Sequence, residues 1–283
     1  MPIDPSKALG AELGESQYSW TRDDVILYHL GVGAGVPATD PGELEYTYEK
    51  NLKVLPSFGV IPVFGAMGGM GNVEGLTFNF AMLLHGEQDI TLHKPIPPEA
   101  TVTNTGRVAE LWDKGKACLC VLEVETKHEG EKLFTNRFGL FLRGEGGFGG
   151  EPGPKAGNEA PDRKPDGVIE STTLPQQALI YRLSGDKNPL HADPDFAKMA
   201  GFETPIIHGL CSYGVVCKAV VDEVLGGDTD RVARYQARFR GVGYPGETYL
   251  TSYWKEGNKV LIQAKSKERD ELVITNAAIT LRD

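Results

Sequence analysis

The sequence predicts an α+β protein built from two similar halves, each an antiparallel sheet packed against helical structure. Three observations predict this fold class. Strand-like runs follow one another with tight turns between them, one long helix is almost wholly apolar, and short sequence matches recur about half a chain apart. Successive hairpins favour an antiparallel sheet, and its apolar face needs a second layer to cover it.

Strand-like runs rich in Val, Leu, Thr and aromatic residues occur three times near the end of each half. Turn residues separate these runs, and each turn contains an Asp or a Gly. The turns lie at 113–115 and 129–130 in the first half and at 256–258 and 269–270 in the second half. The predicted strands are 101–111, 117–126 and 133–142, then 247–255, 259–266 and 272–281.

The two halves also repeat each other in sequence. Residues 26–31 resemble 179–184, residues 98–101 resemble 245–248, and residues 133–136 resemble 273–276. The three matches keep the same order and a similar offset, which indicates a duplicated unit. Each half is predicted to begin with a short helix, and these helices span 22–30 and 174–183.

One long apolar helix is predicted in the second half, over residues 210–225. Gly209 stands before it, and Gly226 and Gly227 lie where a helix C-terminus is expected. The matching region of the first half, residues 55–75, is interrupted by two prolines and many glycines. We therefore expect the central helix of the first half to be degenerate, which leaves room for a ligand.

A stretch poor in large apolar residues and rich in Gly and Pro divides the chain near its middle. This composition is typical of a linker. The predicted organisation is an N-terminal unit over 1–145, a linker over 146–167 and a C-terminal unit over 168–283.

Composition excludes several classes of protein. The chain has 283 residues, 24% of them charged and 40% hydrophobic, as in an ordinary globular protein. Its net charge of −10 argues against a nucleic-acid partner, and no apolar run approaches the ~20 residues that span a membrane. The first residues, Met1 to Asp4, lack the features of a secretory signal, and the last, Thr280 to Asp283, do not form a peroxisomal signal. A cytoplasmic location is therefore expected, with a peroxisomal one open for a eukaryotic source.

The cysteines give no sign of a metal site or a disulfide framework. The four residues contain no C-x-x-C pair, and no pair of histidines completes a zinc set. We expect them to be reduced and buried, and we expect no metal and no cofactor. Their positions are Cys118, Cys120, Cys211 and Cys217.

The densest polar cluster lies at residues 181–191, where Asp186 and His191 stand five apart across Asn188 and Pro189. The proline prevents a regular helix, so the segment must turn. A turn can point a carboxylate and an imidazole at one water molecule, with one group accepting a proton while the other donates one. The structural alternative is a turn in which Asp186 or Asn188 caps its own backbone.

Two further segments bear on function. Gly209 opens the long helix, where unpaired amides carry positive potential and its own N–H could stabilise an oxyanion. His208, beside it, is interpreted as a structural histidine. In a strand, Arg234, Arg238 and Arg240 would form one basic face suited to phosphate, although a solvated strand face explains the pattern as well.

Residues 181–191 resemble the signature of the MaoC-like (R)-specific enoyl-CoA hydratases, also called hydratase 2. Residues 207–214, 84–88, 113–115 and 237–239 resemble further segments of the two-unit members, such as the hydratase domain of peroxisomal multifunctional enzymes. The resemblance covers nearly the whole chain. It implies a double hot-dog fold, in which two tandem curved antiparallel sheets each surround a helix, and a homodimer.

The resemblance also implies an activity and a set of site residues. The activity is the reversible hydration of a trans-2-enoyl-CoA to a (3R)-3-hydroxyacyl-CoA. Asp186 and His191 would form the catalytic dyad, Asn188 would fix the water, and the Gly209 N–H would bind the thioester oxygen. The residues implied to contact the acyl-CoA are His85, Gly86, Lys114, Lys187, Pro189, Leu190, Arg238 and Phe239.

Three alternatives stay open at this point. A dehydratase acting on acyl-carrier-protein substrates would run the same chemistry in reverse. A hot-dog thioesterase would need a carboxylate on or near the central helix, where only Asp222 and Glu223 are available. A non-catalytic acyl-CoA binding module would not need Asp186 and His191 together.

Overall fold

The structure, a computed structural model, describes residues 3–282. Met1, Pro2 and Asp283, three of the terminal residues from which a location was predicted, lie outside this range. Within it, ten strands form one sheet in which all neighbours pair antiparallel. Their bounds are β1 (Glu12–Trp20), β2 (Leu83–Leu92), β3 (Ala100–Asp113), β4 (Ala117–His128), β5 (Glu131–Arg143), β6 (Gly167–Thr172), β7 (Val232–Phe239), β8 (Thr248–Glu256), β9 (Lys259–Ser266) and β10 (Leu272–Leu281).

The order of the strands repeats the duplication seen in the sequence. Across the sheet the order is β1-β3-β4-β5-β2-β7-β10-β9-β8-β6. Each half therefore has the same internal order, and the two halves meet edge to edge where β2 pairs with β7. The predicted α+β class and the six predicted strands are confirmed. The expectation that each half begins with a helix was wrong, because β1 and β6 precede those helices.

Seven α-helices lie within the described residues, and most are short. They are α1 (Pro5–Ala8), α2 (Arg22–Gly31), α3 (Pro41–Thr47), α4 (Phe64–Met67), α5 (Gln177–Tyr181), α6 (Pro194–Met199) and α7 (Gly209–Leu225). The 3-10 helices are Pro56–Val60, Gly68–Asn72, Phe80–Met82, Arg182–Ser184, Pro189–His191 and Thr229–Arg231. No helix in this part of the chain is long and apolar enough to cross a membrane.

The long helix α7 forms the core of the second half. It starts one residue before the predicted position and ends at Leu225, as predicted. The next residue, Gly226, has a φ of +66°, the left-handed conformation that glycine adopts most easily. Two tyrosines tie it to the sheet. The Tyr213 hydroxyl donates to the Tyr235 carbonyl at 2.8 Å, and the Ser212 and Tyr249 hydroxyls lie 2.8 Å apart.

The first half has no equal of α7, as the sequence predicted. Residues 56–72 form only α4, one turn long, with a 3-10 helix on each side. A polar network holds this segment to the sheet. The Asn136 side chain donates to the Gly59 carbonyl at 2.9 Å and accepts from the Gln88 amide at 2.9 Å. Because all three groups are buried, these bonds satisfy atoms that would otherwise be costly to bury.

The matching helices α2 and α5 pack against each other at very short range. The Gln177 side chain donates to the Gly31 carbonyl at 2.6 Å. A methyl group added at Gly31 would lie 3.0 Å from the Cα atom of Tyr181. Glycine therefore permits this close approach between the two halves.

The segment between the halves lies over the sheet without forming helix or strand. Over residues 144–166 it is held by side chains of the sheet. The Asp113 carboxylate accepts from the Gly147 and Gly149 amides, both at 2.9 Å, and the Asn276 side chain donates to the Gly157 carbonyl at 2.9 Å. All four cysteines are unpaired and buried, as predicted.

Candidate active site

Three side chains from the second half converge beside the start of α7. One oxygen of Asp186 and one ring nitrogen each of His191 and His208 all lie within 4.8 Å of one another. His191 is 8% exposed and His208 is 1% exposed, whereas Asp186 is half-buried. The cluster therefore lies at the boundary between the core and solvent.

Two successive turns create this convergence. Gly185 has a φ of +139°, which a side chain would make unfavourable. The Asp186 carboxylate then accepts from the Asn188 amide at 3.1 Å, and the Asn188 side chain accepts from the Leu190 amide at 3.0 Å. The predicted self-capping turns are therefore present. They coexist with the predicted approach of Asp186 and His191, because one carboxylate oxygen is enough for the turn.

The tautomer of His191 follows from its hydrogen bond. Its Nδ1 lies 2.9 Å from the Ile206 carbonyl oxygen. A carbonyl can only accept, so Nδ1 carries the proton and Nε2 keeps a free lone pair. Burial lowers the pKa of His191 below its ordinary value, and the Asp186 charge opposes this only in part. His191 is thus a neutral base at pH 7.

His208 belongs to the same cluster. Its Nε2 lies 3.2 Å from the backbone carbonyl of Asp186. Burial, together with repulsion from His191, lowers the pKa of His208 to about 4. The sequence predicts only a structural role for His208. Its position immediately before α7, where the helix start lies against the 182–191 loop, is the one feature of the sequence that points to this cluster.

Gly209 presents an unpaired amide next to this cluster. It is the first residue of α7, it is exposed, and no side chain within residues 3–282 caps the helix there. Unpaired first-turn amides carry partial positive charge. A methyl group added at Gly209 would lie 3.4 Å from the Phe239 ring, which places Phe239 beside the helix start.

The first half supplies another wall of the site. The ring of His85, on β2, lies 5.0 Å from the Phe239 ring and 5.4 Å from the Phe138 ring, measured between centroids. Burial lowers the pKa of His85 to about 4, and the Asp186 charge acts weakly against this shift. The contact between His85 and Phe239 crosses the β2–β7 junction, so both halves contribute to the site.

The remaining loop and bulge residues lie near these groups. Lys187 and Pro189 are exposed, and Leu190 is half-buried. Gly86 lies in a β-bulge of β2. A methyl group there would lie 2.5 Å from the Phe141 ring, so the absence of a side chain at Gly86 has a packing reason.

Two residues predicted to contact the substrate, Arg238 and Lys114, do not lie beside Asp186, His191 and His208. Arg238 is next to Phe239 on β7 and therefore faces the opposite side of the sheet, where its Nε donates to Glu87 at 3.0 Å. Lys114 lies in the β3–β4 turn, and its Nζ donates to the Pro152 carbonyl. The basic face predicted on β7 is present for Arg234 and Arg238, whereas Arg240 lies beyond the end of the strand. Arg234 is also paired, with Asp89.

The fold and the sequence together define a class, the MaoC-like double hot-dog proteins. Residues 18–144 match the MFE-2 hydratase 2 N-terminal domain, and residues 156–277 match the MaoC-like domain. A crystal structure of a MaoC-like dehydratase from Phytophthora capsici has a TM-score of 0.89 and 33% identity, with 99% of each chain covered. A conserved hypothetical protein of Mycobacterium tuberculosis with a double hotdog fold has a TM-score of 0.53 and 12% identity over 96% of this chain and 98% of its own.

Named relatives show to which family within this class the chain belongs. Enoyl-CoA hydratase ChsH3 of Mycobacterium tuberculosis is 43% identical over 97% of both chains. Peroxisomal multifunctional enzyme type 2 of Mus musculus is 42% identical over 97% of this chain, which spans 38% of that longer protein. 3-Hydroxyacyl-thioester dehydratase Y of Mycobacterium tuberculosis is 42% identical over 90% of this chain and 88% of its own. The chain therefore belongs to the MaoC-like hydratase 2 family.

Proposed function

We propose that this protein is a lyase that reversibly hydrates a trans-2-enoyl-CoA to a (3R)-3-hydroxyacyl-CoA. The observation that carries the proposal is the approach of the Asp186 carboxylate to the neutral His191 imidazole beside the start of α7. Membership of the hydratase 2 family and the names of the relatives support the same reaction.

The reaction needs a water molecule that is oriented and partly deprotonated. Asp186 and the lone pair on His191 Nε2 hold one water between them, with Asn188 fixing the loop. The water oxygen bonds to C3 of the enoyl group while one of its protons passes to the dyad. The dyad then returns a proton to C2. The net change is the addition of one water across the double bond, which needs no redox cofactor.

Negative charge builds up on the thioester oxygen as the water attacks. The Gly209 N–H donates to that oxygen, and the positive end of α7 stabilises it. Because glycine has no side chain, the thioester can approach this amide closely. Removal of one oxyanion donor typically costs about 10²–10³ in kcat, so this contact is a major part of the catalysis.

From the thioester at Gly209, the acyl chain and the CoA arm of the substrate are proposed to run in different directions. His85 and Phe239 line the acyl side of the site. The room for an acyl chain expected beside the degenerate helix of the first half stays a prediction, because residues 56–60 there are buried. Lys187, Pro189 and Leu190 belong to the loop that would face the CoA arm, and Gly86 adjoins His85 on β2. Lys114 and Arg238 would reach a CoA phosphate only at a distance from the dyad. The homodimer, the cytoplasmic location and the unit boundaries near 145 and 168 stay predictions.

The test is the loss of enoyl absorbance with a four-carbon and a ten-carbon trans-2-enoyl-CoA. Asp186→Asn and His191→Ala should each lower kcat by about 10²–10⁴, the usual contribution of a general acid–base group. Asp195→Asn is the matched control, because Asp195 is an exposed carboxylate in the first turn of α6. The product should be oxidised by an R-specific dehydrogenase and not by an S-specific one. If the folded wild-type protein does not hydrate either enoyl-CoA, the proposal is refuted.

A carrier-protein dehydratase is the second candidate. The observation that favours it is the 42% identity to a relative named 3-hydroxyacyl-thioester dehydratase. The chemistry at the dyad is the same, and both substrates carry a phosphopantetheine arm. Rates with one acyl group on CoA and on acyl carrier protein separate the two candidates. A kcat/KM at least about tenfold higher on the carrier protein, equivalent to about 1.4 kcal/mol, would favour the dehydratase.

The described contacts count against a thioesterase. Of the two helix carboxylates available to such an enzyme, Glu223 is exposed, and Asp222 accepts from the Tyr46 hydroxyl at 2.7 Å and from Lys218 at 2.8 Å. Lys218 also binds Glu43 at 2.6 Å. A carboxylate held by two donors is a poor nucleophile and a poor base. We expect no free CoA thiol in the assay, and Asp222→Asn should leave hydration unchanged.

A further inference from the structure

His191 and His208 each have one ring nitrogen oriented by a backbone carbonyl. Nδ1 of His191 faces the Ile206 carbonyl, and Nε2 of His208 faces the Asp186 carbonyl. Because carbonyls only accept, both of these nitrogens carry protons. The opposite nitrogens, Nε2 of His191 and Nδ1 of His208, therefore hold lone pairs.

The lone pair on His208 has no donor to satisfy it. Nδ1 is buried, and it has no hydrogen-bond partner within residues 3–282. The whole residue is 1% exposed. A buried acceptor without a partner is costly, and in a folded protein it indicates a function, a water molecule or an ion.

Asp186 adds an anionic ligand to the two imidazoles. One atom from each of the three residues lies within 4.8 Å of the other two. The two histidine rings are stacked, with their planes inclined by 29°. Two imidazoles and one carboxylate are the protein ligands of many open zinc sites, with water in the fourth position. Histidine ligands in such sites usually donate their other ring N–H to a carbonyl or carboxylate, as both do here.

We propose that Asp186, His191 and His208 form a binding site for Zn²⁺, and that the bound ion reversibly inhibits the enzyme. Inhibition rests on the proposed hydration, because the ion would occupy the carboxylate and the imidazole that hold the water. The site itself does not depend on that reaction. Mg²⁺ prefers oxygen ligands in octahedral geometry and should not bind.

The electrostatics of the cluster favour a cation of this kind. Each imidazole donates one ring N–H to a backbone carbonyl, which leaves its other ring nitrogen unprotonated and available to a metal. The nearby Asp186 carboxylate compensates part of the ion's charge. Arg182 opposes binding, since its charge also acts on both rings.

The first measurement is calorimetric titration of the wild-type protein with ZnCl₂ at neutral pH, with MgCl₂ as the ion control. We expect one zinc per chain. Asp186→Asn, His191→Gln and His208→Gln should each weaken binding at least about tenfold, since loss of even an outer partner has that effect. His93→Gln is the matched control, because His93 is exposed and bonds Thr135, outside the cluster.

Two further measurements keep the proposal falsifiable if a variant does not fold. Co²⁺ bound to wild type should show the visible absorption of tetrahedral nitrogen and oxygen coordination, and Zn²⁺ should displace it. Zinc should also lower the hydration rate, and EDTA should restore it. Absence of one-to-one binding in wild type, or full binding in a folded His208→Gln variant, would overturn the site. Zinc binding by a protein that never hydrates enoyl-CoA would refute the proposed function and leave the site intact.

Discussion

The imidazole rings of His191 and His208 are stacked, with centroids 3.7 Å apart and planes inclined by 29°. The two residues belong to different elements, since His191 ends a 3-10 helix and His208 precedes α7. The orientation of His191 is therefore fixed twice, by the Ile206 carbonyl at its edge and by the His208 ring at its face. In the proposed reaction His208 is thus a positioning residue.

Substitutions at His208 should separate its two contacts. His208→Phe keeps a ring against His191 but loses the bond to the Asp186 carbonyl, a net loss of about 0.5–1.5 kcal/mol. We expect kcat to fall by about tenfold at most. His208→Ala loses both contacts and should lower kcat further, with KM nearly unchanged, as measured with enoyl-CoA. Equal, wild-type kcat values in both variants would show that the stack does not position His191.

The fall of the hydration rate at low pH, which is the acid limb of the pH profile, should depend on the charge of Arg182. The hydration step needs neutral His191, so the rate should fall as pH drops through the lowered pKa of that residue. Arg182 holds the pKa of His191 down by charge repulsion. Arg182→Gln should therefore move the acid limb of kcat/KM to higher pH. The shift should be less than about one unit, because a partly solvated charge contributes on the order of 1 kcal/mol.

The control for this measurement is Arg182→Lys, which keeps the positive charge and should keep the limb in place. The Arg182 guanidinium also donates to the Lys187 carbonyl at 3.4 Å, so the charge-retaining variant separates electrostatics from loop structure. A limb that moves equally in both variants would contradict the charge argument.

Buried histidines should make the fold sensitive to acid. Burial lowers the pKa values of His29 and His208 from 6.5 to about 4. In the unfolded chain these two histidines become protonated near pH 6.5, whereas in the native protein they become protonated only near pH 4. Stability is therefore highest above pH 6.5 and is lost as the pH falls toward 4, by on the order of 2 kcal/mol per group at about pH 4.5. Urea unfolding across this pH range measures the slope.

In His29→Gln the free energy of unfolding should depend less steeply on pH, whatever the effect of that change on stability at neutral pH. His29 is fully buried, and its two ring nitrogens bond the Tyr46 carbonyl and the Leu55 amide. An unchanged pH slope in this variant would show that His29 is not among the groups responsible.

The packing of α2 on α5 can be tested at Gly31. Gly31→Ala places a methyl 3.0 Å from the Tyr181 Cα, and backbone atoms cannot easily move away. We expect the free energy of unfolding to fall by about 1–3 kcal/mol. Gly68→Ala is the matched control, because nothing lies within 4 Å of an added methyl and the φ is −59°. Equal unfolding midpoints for the two variants would contradict the close contact.

Much of the fold could be predicted from the sequence because its apolar patterns are strong. Helix α7 and the last three strands of each half carry nearly continuous or alternating apolar residues. Strand β2 was missed because its polar residues have partners far along the chain. Gln88 is buried against Asn136, and Asp89 pairs with Arg234 across the β2–β7 junction. Strands β1 and β6 lie at the edges of the sheet, where little apolar patterning is required.

The sequence predicts only those residues of the candidate site that lie close together along the chain. Asp186 and His191 are five residues apart, and the proline between them already required a turn. His208 joins them through the packing of α7 against that loop, which no spacing in the sequence specifies. The sequence also predicts that Arg234 and Arg238 share one face of β7, and this is confirmed. Their acidic partners lie on β2, about half a chain earlier, so the sequence could not show that the basic face is neutralised.

The junction of the two halves has a consequence for association between molecules. Only β1 and β6 have a single neighbour in the described sheet. An open strand edge is a template on which another chain can add, and charges and bulges oppose this. Strand β1 carries Glu12, Glu15 and a bulge at Gly14, and β6 carries Glu170. Fusion of the duplicated units thus left two edges to protect from aggregation, where two separate five-stranded sheets would have had four.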